Sequence, residues 1–155
     1  MAMRFLRQRR RLLIGAGLAC ATPLARAQAQ AQPGWPAIPA LAALLGGRLL
    51  QPGRVTLDIP KLADNGNSVP LTITVDSPMT ERDRVVAIHL FSERNPRPRM
   101  ASIALGPDAG RAQVATRLRL AGTQHIVAVA EMADGALWGA ATEVIVTQSA
   151  CTDDI

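Results

Sequence analysis

From residue 54 onward the apolar positions of the chain recur with a period of two. Val55, Leu57 and Ile59 alternate with Thr56 and Asp58, and Leu71, Ile73 and Val75 alternate with two threonines. Successive side chains of a strand point to opposite faces, so this alternation predicts half-buried β-strands. Val85-Val86-Ala87-Ile88-His89-Leu90-Phe91 is a continuous apolar run that suits a central strand. Met100–Leu105, Arg111–Leu120, Gln124–Glu131 and Leu137–Val146 bring the expectation to about seven strands.

Turn residues fall between these runs. Asn65-Gly66-Asn67, Asn95-Pro96-Arg97-Pro98, Gly106-Pro107 and Ala109-Gly110 are such sites, and Asp134-Gly135 should close a tight hairpin. Short strands punctuated every 8 to 12 residues, roughly, predict an all-β, immunoglobulin-like β-sandwich of two packed sheets. Small residues (Ala87, Ala115, Ala128, Ala130, Ala140, Ala141) and two phenylalanines imply a core of aliphatic side chains.

Upstream the period changes. Leu41, Leu44, Leu45 and Leu49 fall at helical spacing, which predicts a short N-terminal helix, and Gly46-Gly47 should end it. Residues 28–36 are low in complexity and read as a leader. The expected organisation is an export signal at 1–27, a leader with a short helix at 28–53, and a sandwich at 54–147. A C-terminal arm at 148–155 should leave the last strand and continue into solvent.

The front end carries the targeting information. Arg4, Arg7, Arg9, Arg10 and Arg11 precede a short apolar run, Leu12 to Ala21, and Ala25-Arg26-Ala27 offers a small-x-small cleavage site. The run holds about 10 residues where a membrane span needs roughly 20. Arg9-Arg10-Arg11-Leu12-Leu13 also matches a twin-arginine pattern, so the expected location is the bacterial periplasm. Cys20 falls inside this segment, and Gly17 three positions earlier departs from a lipoprotein box. It reads as apolar filler.

Removing the signal reverses the electrostatic picture. The chain has 17 Lys+Arg against 12 Asp+Glu, and six arginines leave with residues 1–27. Eleven basic and 12 acidic residues remain, a net charge of −1. The basic pI therefore belongs to the signal and is no argument for nucleic-acid binding.

Few residues then carry chemistry. The chain has no Gly-x-Ser-x-Gly elbow, no phosphate-cradling glycine loop and no paired-cysteine metal spacing. His89 and His125 lie in strand runs, and two ligand-type residues alone do not make a metal site. Arg94, Arg97 and Arg99, with Arg82 and Arg84 upstream, read either as a patch for an anion or an acidic partner, or as ordinary solvated charges. Met79, Met100 and Met132 read as core fillers. Cys151 remains, the single cysteine of the mature chain, and an unpaired exported cysteine implies intermolecular pairing or a reactive thiol. Asp153 and Asp154 beside it disfavour the thiolate, so a partner has to supply positive charge or a base.

Several motifs in order are similar to those of the SoxY sulfur-oxidation carrier family. They are Asn65-Gly66-Asn67-Ser68-Val69-Pro70, Asp76-Ser77-Pro78-Met79, Ile88-His89-Leu90-Phe91 and Asn95-Pro96-Arg97-Pro98. Thr116 to Gln124 and Val127 to Gly135 continue the series. The resemblance implies a periplasmic, non-catalytic carrier in a heterodimer with a SoxZ-like protein. It implies no cofactor on the chain itself. Cys151 would be the covalent attachment point for sulfur intermediates such as those of thiosulfate oxidation, processed by partner cytochrome or quinoprotein oxidoreductases. The family arm reads Gly-Gly-Cys-Gly-Gly, whereas this chain has Ser149-Ala150-Cys151-Thr152-Asp153, closer to a variant branch reading Ala-Ala-Cys-Ile-Glu. The cargo thus stays open between a sulfur compound and another small molecule. The alternative role is an assembly module whose Cys151 forms a disulfide with its partner.

Overall fold

The computed structural model describes residues 32–150. The expected export signal with Cys20, the first leader residues and Cys151 with the rest of the tail lie outside the described residues. One helix, α1 (Pro39–Leu45), is followed by nine strands. These are β1 (Leu50–Pro52), β2 (Val55–Asp58), β3 (Leu62–Ala63), β4 (Val69–Val75) and β5 (Val85–Ser92), then β6 (Arg99–Ala104), β7 (Gln113–Leu118), β8 (Gln124–Met132) and β9 (Leu137–Val146).

Strands β2, β4 and β7 form a small antiparallel sheet in that order. The larger sheet runs β1-β9-β8-β5-β6, with β3 also paired to β9. Leu71, Ile73 and Val75 of β4 meet Ile88, Leu90, Ile126, Ala128 and Ala130 of the large sheet in one aliphatic core. This is the expected sandwich. The seven anticipated strands are all present, and the hairpin at Asp134-Gly135 closes with Gly135 at φ 85° and its N–H donating to Met132 O at 3.0 Å.

The two further strands, β1 and β3, run parallel to β9 along the same edge. Each is too short to show a period, and each exists because β9 offers an unpaired backbone edge.

The large sheet is covered on its other face too. Val127 and Val129 of β8, with Phe91 and Leu137, pack under Ile38, Leu41 and Leu45 of the helical segment. This second core explains why β5 and β8 read as apolar runs rather than alternating ones. Gly46 caps the helix in the left-handed conformation, φ 54°, its N–H donating to Ala42 O. The turn it makes swings Leu49 out to solvent, 75% exposed, so the predicted fourth leucine of the helical stripe is replaced in the core by Leu50.

Candidate functional site

Antiparallel pairing collects particular loops at each end of the sandwich. β5 and β9 end where β8 and β6 begin, and β7 ends opposite the start of β4. The turns after Ala63, Ser92 and Leu118 therefore share one end with the chain leaving β9.

That chain does not run straight into solvent. Thr147 donates its N–H to Ala63 O at 3.1 Å and its hydroxyl to Asp64 O at 2.8 Å. Gly66 N–H donates to Gln148 O at 2.8 Å, Leu120 N–H to Gly66 O at 2.9 Å, and Ala150 N–H to Leu120 O at 3.0 Å. Gly66 thus sits in the middle of a small backbone braid, tying the root of the tail to the turn after β7. A Cβ on Gly66 would lie 2.5 Å from Leu120 O and 3.1 Å from both Ala150 N and Val146 Cγ1. Glycine is required there by close approach of three segments.

Asn95 ties a third turn into the same end. Its Oδ1 accepts from Ala121 N–H at 3.0 Å and from Gln124 Nε2 at 2.9 Å, while its Nδ2 donates to Arg119 O at 2.8 Å. Gln124 is buried and returns a bond by accepting from Arg94 N–H at 3.0 Å. The Asn-Pro turn is therefore fixed onto Arg119–Ala121, the segment that also holds Ala150.

The arginines anticipated as one patch divide between the two ends. Arg82 and Arg84 precede the start of β5, while Arg94, Arg97 and Arg99 follow its end, an eight-residue strand away and roughly 25 Å at the usual rise. Arg94 donates to Thr123 O. Arg97 and Arg99 instead join Arg119, with Asn95, Pro96 and Met100, around a shallow notch of about 420 Å³. Arg119 could not have been grouped with them from spacing alone, because the Asn95 bridge brings it there.

The histidines are placed on the helix-covered face and its margin. His89 is 9% exposed, with Nδ1 2.9 Å from Ser102 Oγ. Its Nε2 lies 3.5 Å from Glu131 Oε2 without hydrogen-bond alignment. Arg48 donates to the other Glu131 oxygen at 3.2 Å and to Leu44, Leu45 and Gly135 carbonyls. The Arg48 guanidinium holds the Glu131 carboxyl below its ordinary value. His125 Nδ1 lies 2.9 Å from Glu93 Oε2, and that hydrogen bond lowers the Glu93 carboxyl. Among the described residues no group of three or more His, Cys, Asp or Glu side chains is arranged for a metal ion. Met132 is buried, and Met79 and Met100 pack against the main core, so the methionines fill space as expected. No helix among the described residues is long and apolar enough to cross a membrane.

Three comparisons bear on what this end of the sandwich belongs to. The family described as sulfur oxidation protein SoxY matches residues 41–151, well over half of the chain. The solved sulfur carrier protein SoxY from Chlorobium limicola f thiosulfatophilum is 31% identical, with a TM-score of 0.58 over 70% of this chain and 93% of that one. A superoxide reductase (neelaredoxin) from Ignicoccus hospitalis has a TM-score of 0.57 at 17% identity, covering 64% of this chain and 97% of its own. One from Thermotoga maritima, named a putative superoxide reductase, is 16% identical with a TM-score of 0.53, covering 64% of this chain and 96% of that one. Likeness at that identity shows a shared fold and nothing of the chemistry. No curated protein sequence matches the chain. The match extends from α1 through the sandwich to Cys151, and the solved SoxY shares the fold at 31% identity: the chain belongs to the SoxY family of sulfur oxidation proteins.

Proposed function

We propose that the protein is an exported, non-catalytic carrier that holds a sulfur compound such as thiosulfate covalently on Cys151 and presents it to partner oxidoreductases. The observation that carries this reading is the braid ending at Ala150. The chain is fastened to one end of the sandwich up to Ala150, the residue before the cysteine, which supports a cargo carried at that end. The family match reaches that same residue, and a solved SoxY is named a sulfur carrier.

Loading with thiosulfate joins Cys151 Sγ to the terminal sulfur of the anion. The thiol gives up its proton and two electrons pass to a partner oxidoreductase, since forming a sulfur–sulfur bond from these reactants is an oxidation. Asp153 and Asp154 disfavour the thiolate, so activation falls to the partner enzyme. The platform includes a SoxZ-like protein as heterodimer, and the location is the periplasm, supported by the arginine-rich front and short apolar run of residues 1–27.

Intact mass of the protein recovered from its own periplasm tests the proposal. The expected result is a small adduct released by reductant and absent from Cys151→Ser. A mass equal to a disulfide-linked dimer, with no small adduct, would assign the thiol to assembly instead.

A further inference from the structure

The arginine notch beside the tail's point of attachment has no role in what precedes. Arg97, Arg99 and Arg119 line it and are all exposed, and the ion pairs among the described residues engage Arg48, Arg54, His89 and His125 rather than these three. Like charges gathered around one notch, with no carboxylate paired to them among the described residues, repel one another, and an anion placed among them relieves that cost. Arg99 is steadied, with its guanidinium carbon 5.6 Å from the centre of the Phe91 ring. Asn95 already spends its amide on Ala121, Gln124 and Arg119, and Pro96 has no N–H. The three arginines that line the notch carry guanidinium forks, whose planar paired donors match a tetrahedral oxyanion.

We propose that this notch is a binding subsite for a small sulfur oxyanion, of the sulfate, sulfonate or thiosulfate type. The anion can arrive free from solution or as the charged end of a group borne on Cys151. The two sources share one chemistry, and the anchoring of Ala150 supports the second. Arg119 lines the notch, and its neighbour Leu120 accepts the bond from Ala150, one residue before the cysteine. The arm-borne source rests on the carrier function proposed above, whereas the free-anion source does not.

Amide NMR on the Cys151→Ser chain, at constant ionic strength, separates the possibilities. Asp153→Asn and Asp154→Asn are included so that tail carboxylates cannot stand in for the added anion. Sodium sulfate and sodium thiosulfate should give saturable shifts at residues 97–100 and 119–121 that chloride does not give. Arg97→Gln with Arg119→Gln should weaken binding at least about tenfold, roughly the worth of one charged hydrogen bond. Lysine at both positions should recover part of it, because charge remains while the fork is lost. Linear shifts, shifts equal to those with chloride, or an unchanged affinity in the double variant would overturn the subsite. So would a response to an acidic peptide with none to sulfate or thiosulfate, which would make the notch a protein-docking face. In a second arm, wild-type chain carrying a thiosulfonate on Cys151 should shift the same amides without added salt, and lose those shifts in the double variant. If Cys151 proves to carry no cargo in the periplasm while free sulfate still binds, the carrier reading falls and the subsite stands.

Discussion

The N–H of Ala150 donates to the carbonyl of Leu120 at 3.0 Å, so the residue preceding Cys151 is bonded to the turn that follows β7. The carrier proposed above would therefore move its cargo from a fixed pivot. Movement of the preceding segment would first require breaking the bonds at Thr147, Gly66 and Ala150.

Gly66 makes that pivot possible, and its replacement should loosen it. In Gly66→Ala the new methyl would have to displace Leu120 O or Ala150 N, and overpacking of this kind costs about 1–3 kcal/mol. Urea unfolding should show that loss. Hydrogen exchange should show Gly66 and Ala150 amides losing protection more than those of β5 and β8. Equal protection in variant and wild type would mean that the braid does not restrain the tail.

Asn95 holds two turns together with three hydrogen bonds, one of them to the buried Gln124. Asn95→Ala should destabilise the fold by about 2–4 kcal/mol, because the Gln124 amide and the Ala121 N–H are left without that acceptor. The change is read as a lower midpoint of urea unfolding. The variant should also weaken any anion binding in the notch, since Arg119 loses its tether.

The helix-side core gives a third expectation. Leu41 is 2% exposed and covers Phe91, Val127 and Val129. Leu41→Ala should cost about 2–5 kcal/mol by thermal or urea unfolding. A loss below about half a kilocalorie would show that α1 only rests on the sheet.

The pairing of Arg48 with Glu131 sets a pH dependence. Glu131 titrates below its ordinary value of 4.5 in the folded chain, chiefly through the Arg48 hydrogen bond. Its stabilising contribution is fully present above the unfolded value and is lost as pH falls through the lower folded one. Both side chains are partly solvated, so the amount is at most about 1 kcal/mol. The stability difference between wild type and Glu131→Gln should shrink as pH drops below about 4.5. An unchanged difference down to pH 3 would contradict the pairing.

The two-residue alternation of Leu71, Ile73 and Val75 was legible because one buried sheet face imposes it, and the hairpin at Asp134-Gly135 because its turn needs a residue at positive φ. β1 and β3 were not legible, since two or three residues carry no period and their pairing depends on an edge supplied by β9. His89 and Glu131 lie 42 positions apart, and only the register of β5 against β8 makes them diagonal neighbours on one face, His89 standing opposite Val129 and Glu131 opposite Ala87.

What the sequence by itself determined is the sandwich and the place of the helix, because periodicity and residue chemistry are local properties. What only the tertiary structure decided is where the tail is fastened and which arginines stand together. Asn65-Gly66-Asn67, Asn95 and Leu120 acquire those roles when antiparallel pairing brings their turns to one end of the sandwich, and backbone groups there must find partners across segments distant in the chain.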